Sequence, residues 1–374
     1  MKRLLFTALG LAVALPGAAL AQSNVILKGI VDVGPRYDSG GTNGSSTTSL
    51  GSGQSAGGSR LTFEGVEDLG GGLKASFVLE TGIALDTGMG TSNPPGVSSG
   101  ALTFGRTSAV AIGNDKLGYL SLGRQYNPIW ALTAGTMADP FGASWLGGAN
   151  IVNSSTGKSN NSIAYSYGYT WETMLRAAPK KGLGVAAIWS IPETVAPLPA
   201  SAGQQLGFNV SYGIDKWWAG YAYHQINGSS TDISATAPVT DQPKLQQQAL
   251  EGSYDFGFAR VNLGFNRATN GLNGTVAGAL DRNNWHIAAT IPFAGNQVLM
   301  AEYGKANNNS AVNSDWSTFQ VGYQYSFSLR TTFYAAIGQV YNDANVNVAL
   351  LGSLGTYAKG STPRSVISGL RMTF

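Results

Sequence analysis

The chain has 374 residues, a formal net charge of +3, 51 glycines, no cysteine and only 11% charged residues. So much glycine destabilises helices, and the 10% aromatic content is too high for a disordered chain. No apolar run after the first 21 residues is long enough for a membrane-spanning helix. Composition therefore predicts one large glycine- and aromatic-rich β domain without disulfides.

The first 21 residues have the pattern of a secretory signal peptide. Lys2 and Arg3 form a positive start, an apolar run follows over residues 4–15, and small residues precede the expected cleavage point. A buried N-terminal helix is the alternative. Removing the segment takes the basic residues from 23 to 21, against 20 acidic ones, so no nucleic-acid partner is indicated. We expect a mature domain over residues 22–374.

Short segments in which apolar and polar residues alternate recur along the mature chain, as in β-strands. Sixteen of them begin near these residues: Val25, Arg60, Leu73, Thr103, Leu117, Ser162, Gly184, Gln205, Lys216, Gln246, Ala259, Asn284, Gln297, Ser317, Arg330 and Pro363. An even number of strands lets the first and last strands pair and close a barrel. We therefore expect an all-β fold, a 16-stranded antiparallel transmembrane β-barrel.

The connections between these segments are of two kinds. Tight turns cover residues 67–71, 114–118, 213–216, 255–257 and 293–296. Long polar stretches cover residues 39–59, 86–100, 192–203, 227–243 and 342–362. Short turns at one end and long loops at the other are typical of a membrane barrel, and a soluble sandwich does not segregate its loops in this way.

The last strand shows the two faces that a membrane barrel needs. Val366, Leu370, Met372 and Phe374 fall on one side of an extended strand, and Arg371 falls on the other. The apolar row is expected to meet lipid and the polar row to meet water. We expect this strand to close the sheet against the first strand.

The inward positions carry too many charged residues for a packed interior, so we expect a water-filled lumen. These residues are Lys28, Asp32, Arg60, Glu64, Lys74, Glu80, Arg260 and Arg371. A wet channel of this kind implies transport.

The connection between Tyr126 and Asn161 is long and has mixed apolar content. Loops of this length are usually functional or disordered, and apolar residues such as Trp130 and Phe141 argue against disorder. We expect this third long loop to fold into the pore and narrow it. A loop that stands in solvent outside the barrel is the alternative.

Several motifs resemble those of the Gram-negative general-diffusion porins. Residues 59–74 read SRLTFEGVEDLGGGLK, and shorter matches are LKGIVD at 27–32, FGR at 104–106, LGRQYNP at 122–128, NSIAY at 161–165 and GLR at 369–371 with the terminal Phe374. The resemblance covers essentially the whole mature chain. It implies a homotrimer of 16-stranded barrels, each with a pore constricted by the third long loop.

The resemblance also implies a charged constriction, in which basic residues on the wall oppose acids on the loop. The matching or neighbouring pore residues are Arg60, Arg124, Asp139, Lys28, Lys74, Glu80 and Lys158. Opposed rows of charge set ion preference because they steer and partly replace hydration. In the family a terminal Phe is read by the barrel-assembly machinery, so Phe374 is the expected assembly signal.

The chain departs from the family pattern at several positions. Lys28 replaces an aromatic residue, and Asn160 replaces a wall arginine of some relatives, so that only Lys158 nearby could compensate. Asp139 is the sole carboxylate of the third loop. The sequence does not indicate where the insertion that contains Trp171, Glu172 and Arg176 lies.

Arg124 presents a problem of alternation. It shares a face with Leu120 and Leu122, which are expected to meet lipid. Its side chain can reach the lumen only if the strand ends or bulges at Gly123, which glycine permits.

We predict that the protein is a passive outer-membrane channel for ions and small hydrophilic solutes, with lipid and lipopolysaccharide around it. A solute-selective porin for an organic acid or sugar is the alternative, although the inward aromatics are too scattered for a stacking track. An enzyme is disfavoured because neither histidine, His224 or His286, has a nucleophile and acid nearby in sequence. We expect no cofactor and no metal.

Overall fold

The structure, a computed structural model, describes most of the mature chain. The described residues are 24–55, 57–91, 103–134, 139–141, 157–172, 176–192, 201–228, 244–270, 280–309, 311–350 and 353–374. The predicted signal peptide, residues 1–21, lies outside them and stays a prediction. No helix in the described ranges is long and apolar enough to cross a membrane.

Eighteen strands form one antiparallel sheet within the described residues. They are β1 (Asn24–Ser39), β2 (Thr47–Ser52), β3 (Arg60–Gly70), β4 (Leu73–Ile83), β5 (Gly90–Thr91), β6 (Thr107–Asn114), β7 (Gly118–Tyr126), β8 (Lys158–Tyr167), β9 (Gly182–Ser190), β10 (Gln205–Ile214), β11 (Trp217–Asn227), β12 (Lys244–Asp255), β13 (Arg260–Thr269), β14 (Asp281–Phe293), β15 (Gln297–Asn308), β16 (Trp316–Ser326), β17 (Thr331–Asn342) and β18 (Arg364–Thr373).

The sheet closes into the predicted 16-stranded barrel. β18 pairs with β1, with Thr373 opposite Ile30 and Ile367 opposite Arg36. β2 and β3 lie end to end along β1 and together occupy one position in the ring, because β2 pairs with the second half of β1 and β3 with the first. The two-residue β5 only extends the pairing at the end of β4.

Three predicted boundaries are wrong. The strands expected near Thr103 and Ser162 begin at Thr107 and Lys158, and the stretch 39–59, predicted as a loop, contains β2. β2 reads TTSLGS, a Ser- and Gly-containing sequence that resembles a loop. Pairing with β1 nevertheless makes it a strand, because every backbone group of a closed sheet finds a partner.

The two faces of the sheet agree with the predicted alternation. Val366, Leu370 and Met372 are exposed on the outer face of β18, while Asp32 and Glu64 lie buried on the inner face of the wall. A row of exposed apolar side chains around a closed sheet is the surface that lipid covers in a membrane barrel.

Long connections gather at one rim of the barrel, the loop rim, and short ones at the other, the turn rim. The turn-rim connections of two to four residues are 71–72, 115–117, 215–216, 256–259, 294–296 and 327–330. One connection on the turn rim is an exception, because β8 and β9 are joined by residues 168–181.

A packed apolar core fills part of the lumen, so the expectation of a wet interior is only partly correct. A short helix, α1 (Pro128–Thr133), begins the third long connection and is capped by Asn127, whose side chain accepts a hydrogen bond from Trp130 N at 3.0 Å. Ile129 and Leu132 of this helix pack against inward residues of β8, β9, β11 and β12. Asn209 of β10 also donates to the carbonyl of Pro128 at 2.7 Å.

A second described piece of the third connection, residues 139–141, also reaches the inner wall. A Cβ added at Gly322 of β16 would lie 2.6 Å from the ring of Phe141. Both described pieces of the third connection therefore contact the inner wall, and the narrowing of the pore by the whole loop stays a prediction. Residues 135–138 and 142–156 lie outside the described ranges.

Candidate functional site: a charged constriction

A set of cationic side chains surrounds the carboxylate of Glu80 on the inner face of β4. Glu80 is fully buried, with Arg106 Nε 2.7 Å from its Oε1 and Arg60 Nε 3.4 Å from its Oε2. Arg176 forms a third ion pair with Oε2, and Thr62 Oγ1 donates to the same oxygen at 3.1 Å. One carboxylate therefore holds three guanidinium groups.

The set extends to Tyr126 at the end of β7. Arg106 Nη2 donates to the Tyr126 hydroxyl at 3.1 Å, and Lys158 Nζ lies 4.2 Å from the centre of the Tyr126 ring. We call the whole group the Glu80 cluster: Arg60, Glu80, Arg106, Tyr126, Lys158 and Arg176. Four cations and one carboxylate leave an excess of positive charge on this wall, since Tyr126 is neutral in its ordinary state.

Gly57 and Gly58, just before β3, supply backbone oxygens to the cluster. The carbonyl of Gly57 accepts hydrogen bonds from Arg106 Nη2 at 3.0 Å and from Arg60 Nη1 at 2.5 Å. Gly57 has φ +80°, a left-handed conformation that glycine adopts without the strain of a side chain. A neutral carbonyl thus orients two of the guanidiniums that one carboxylate alone would have to hold.

The strand register explains why residues far apart in sequence meet. Thr62 of β3 lies opposite Glu80 of β4, and Glu80 lies opposite Thr107 of β6, so Arg106 directly precedes the partner of Glu80. Tyr126 of β7 lies opposite Lys158 of β8. Pairing of neighbouring strands therefore brings these charged side chains together on the inner face of the barrel.

The opposite wall carries carboxylates. Glu251 on β12 and Glu302 on β15 are buried and inward-facing, and His286 Nε2 on β14 lies 3.3 Å from Glu251 Oε2. Asp139 of the third connection is buried and interacts electrostatically with His286. These strands lie roughly half-way round the ring from β4. Acidic groups thus lie on strands roughly opposite the Glu80 cluster in the ring.

Three of the residues predicted from the sequence come together in the cluster: Arg60, Glu80 and Lys158. Two other predicted cations lie apart from it. Lys28 is paired with Glu64 at 2.5 Å, so its added charge is neutralised, and Lys74 lies beside the turn rim, 3.7 Å from Asp115.

Arg124 is not placed with the Glu80 cluster. The pairing of β7 with β8 shifts register between Gly123 and Gln125, so the irregularity that the prediction required does occur. Arg124 nevertheless remains opposite Ser108 in the outward-facing row, and its guanidinium donates to Gly105 O at 2.7 Å and to the side chain of Asn160. Arg124 does interact electrostatically with Tyr126 and Lys158 of the cluster, so its place at the constriction stays a prediction.

Sequence reasoning missed Arg106, Tyr126 and Arg176 as site residues. Arg106 is the last residue of the FGR motif at 104–106. Its place beside Glu80 follows from the start of β6 at Thr107, because Thr107 is the partner of Glu80. Arg176 is 96 residues from Glu80 in sequence and comes from the insertion that the sequence did not place. Arg176 and Glu80 come into contact only in the folded barrel.

The last residue, Phe374, pairs with the first strand. Gly29 N donates to the carbonyl of Phe374 at 3.0 Å, and Phe374 N donates to Gly29 O at 3.2 Å. The residue predicted as an assembly signal therefore sits at the seam between β1 and β18.

Known proteins resemble this chain along nearly all its length. The family model of the Gram-negative porins matches residues 7–345. Outer membrane porin protein 32 of Delftia acidovorans is 28% identical over 376 residues, which cover 96% of this chain and 93% of that protein.

Solved structures share the fold. An anion-selective porin from Comamonas acidovorans superposes with a TM-score of 0.76 at 24% identity, covering 94% of this chain and 100% of that one. The trimer form of OmpT, an outer-membrane protein of Vibrio cholerae, superposes with a TM-score of 0.62 at 14% identity, covering 94% and 99%.

Proposed function

Because the chain belongs to the Gram-negative porin family and is a passive diffusion channel of the outer membrane, we propose that its permeating ions and solutes pass the Glu80 cluster and that the channel favours anions. The observation that carries this proposal is the imbalance of charge around Glu80. Arg60, Arg106, Arg176 and Lys158 surround a single carboxylate, which leaves three positive charges in excess.

The placement of the acids supports a transverse field across the lumen. Glu251 and Glu302 lie on strands roughly opposite the Glu80 cluster in the ring, and Asp139 lies in the third connection and interacts with His286 of that side. Low-dielectric walls focus the field between fixed charges of opposite sign. A polar solute in this gap aligns its dipole with the field, and an anion is drawn toward the cationic side. An apolar solute gains nothing there.

We further propose that the protein is a homotrimer, that residues 1–21 are removed on export, and that lipid and lipopolysaccharide contact its outer face. Phe374 would serve as the signal to the barrel-assembly machinery. Trimer yield in cells that express a Phe374 deletion tests that role, with a normal yield counting against it. The relatives are channels rather than enzymes, and we propose no catalytic step.

Planar-bilayer recording and liposome swelling test the proposed function. Purified protein should produce stepwise conductance increases, and liposomes that contain it should swell in several small neutral sugars and in small organic acids at rates ordered by size and charge. An absence of current steps contradicts the channel. Swelling in one organic acid or one sugar alone would instead support a solute-selective porin.

A further inference from the structure

The connection between β8 and β9 differs from every other described connection on the turn rim. It spans residues 168–181, where the others have two to four residues. Residues 168–172 and 176–181 of it are described. A simple reversal of two antiparallel strands needs no such length, so the extra residues call for a different explanation.

The described residues of this connection fold into the barrel instead of standing outside it. Tyr169 is buried, and its hydroxyl donates to Asn209 Oδ1 on the inner face of β10 at 2.8 Å. Burial raises the pKa of the Tyr169 hydroxyl, which keeps it protonated and able to donate.

The far end of the segment is also anchored inside the barrel. Ala178 N donates to Ala131 O of α1 at 3.0 Å, and Trp218 Nε1 of β11 donates to Pro179 O at 2.9 Å. Tyr169 and Ala178 belong to the same apolar core as α1. The segment is therefore fixed to the barrel wall at both ends and to the helix that enters from the loop rim.

Arg176 lies between these anchors and reaches the constriction. Its guanidinium forms an ion pair with Glu80 and lies 5.9 Å from the centre of the Tyr126 ring. Among the cations of the cluster it is the most exposed: its side chain is 26% accessible, against 13% for Arg60 and 5% for Arg106, and Lys158 is 5% exposed. Since the cluster lies on the inner wall, that exposed area faces the water of the lumen.

We propose that the described residues of this connection, 168–172 and 176–181, form a second constricting segment, which enters the pore from the turn rim, and that Arg176 on it is the cation that permeating anions meet most directly. Arg106 is buried and bonded to Glu80, Gly57 and Tyr126, which makes it a support for the cluster. The exposure of Arg60 lies between those of Arg106 and Arg176. This inference rests on the proposed function, because it identifies the residue through which the charged constriction acts.

Replacement of Arg176 by Gln tests the proposal through the ratio of chloride to potassium permeability in a salt gradient. Loss of one lumen charge should lower that ratio by about two- to fivefold, since a unit charge at contact distance in water changes local ion concentration by about that factor. Lys181→Gln is the matched control, because Lys181 is an exposed cation of the same segment and should leave the ratio unchanged. Arg176→Lys keeps the charge and should stay near the wild-type ratio.

A cysteine variant gives a second, independent readout because the chain has no cysteine of its own. In Arg176→Cys, a cationic aminoethyl thiosulfonate should raise the chloride preference toward the wild-type value. An anionic sulfonatoethyl thiosulfonate should lower it further. These reagents decide the question should Arg176→Gln assemble poorly.

The outcomes separate the two proposals. An unchanged permeability ratio in Arg176→Gln together with no response of Arg176→Cys to either reagent overturns the role of Arg176. If Arg60→Gln still lowers the ratio in that case, the proposed anion-favouring constriction stands without it. A wild-type channel without chloride preference contradicts the proposed function itself.

Discussion

The hydroxyl of Tyr334 on β17 donates a hydrogen bond of 2.6 Å to Asp32 Oδ1 on β1, across the intervening strand β18. The two residues are 302 positions apart in sequence. The bond passes over Gly369 of β18, which pairs with Tyr334 and has no side chain to block it. It therefore joins the strands on either side of β18, next to the seam at which the barrel closes.

Loss of the Tyr334 hydroxyl should weaken the barrel. Tyr334→Phe removes a hydrogen bond to a buried carboxylate, and we expect the free energy of unfolding to fall by about 1.5 kcal/mol. Urea titration of the protein in detergent measures this change. Tyr341→Phe, which alters an exposed ring on the outer face of the same strand, should have almost no effect. Equal stability of the two variants would contradict a structural role for the bond.

A side chain at Gly369 should disturb the same contact more strongly. An added Cβ would lie 2.8 Å from Val33 O and still closer to the Tyr334 hydroxyl. We expect Gly369→Ala to lower the free energy of unfolding by about 2 kcal/mol, the usual range for overpacking. Combined with Tyr334→Phe, the loss should be smaller than the sum of the two single losses, since one clash is relieved.

Gly252→Ala provides the control for that substitution. The nearest atom to an added Cβ at Gly252 is 3.7 Å away, which is ordinary contact. The control should remain close to the wild type in stability. If Gly369→Ala is as stable as this control, the close approach of Tyr334 to β18 is wrong.

The packed core inside the lumen should be needed for stability and for pore size. Leu132 of α1 is fully buried against the position of Gly220 on β11. Leu132→Ala should lower the free energy of unfolding by about 3 kcal/mol and raise single-channel conductance, because the core loosens and the pore widens. Leu299→Ala, on the exposed outer face of β15, should leave the conductance unchanged. Unaltered stability and conductance in Leu132→Ala would place α1 outside the packed interior.

Removal of the Glu80 charge should change stability and selectivity in opposite directions. In Glu80→Gln three guanidiniums lose their common partner, so we expect a loss of about 3 kcal/mol in the free energy of unfolding. The chloride preference should rise, because the one acid of the cluster becomes neutral. Glu67→Gln, at an exposed glutamate of β3, should change neither quantity. A lower chloride preference in Glu80→Gln would show that Glu80 is not the acid that offsets this cluster.

Alternation of residue types predicted most of the barrel, because each strand separates lipid from water. The outward row Val366, Leu370 and Met372 has this pattern, and pairing of the last strand with the first follows from the even strand number. β2 escaped prediction because its TTSLGS sequence has the composition of a loop, and its strand conformation depends on pairing with β1.

The constriction was less accessible to sequence reasoning, since it depends on contacts between distant residues. Arg60 and Glu80 were predicted because they lie in a motif and on inward positions. Arg176 had no such signal, because its position depends on the anchoring of a whole segment by Asn209 and Trp218. For Arg124 the sequence showed that a lumen-facing side chain would need an irregularity at Gly123, and one occurs there, but the direction of the side chain depends on its bonds to Gly105 and Asn160.

The most direct test of the anion-favouring constriction is the zero-current potential of the unmodified channel in a potassium chloride gradient across a planar bilayer. The excess of positive charge around Glu80 predicts a potential whose sign shows faster passage of chloride than of potassium. The preference should shrink as salt rises and screens the fixed charges. A potential of zero, or one of the sign that marks faster potassium passage, would contradict an anion-favouring constriction.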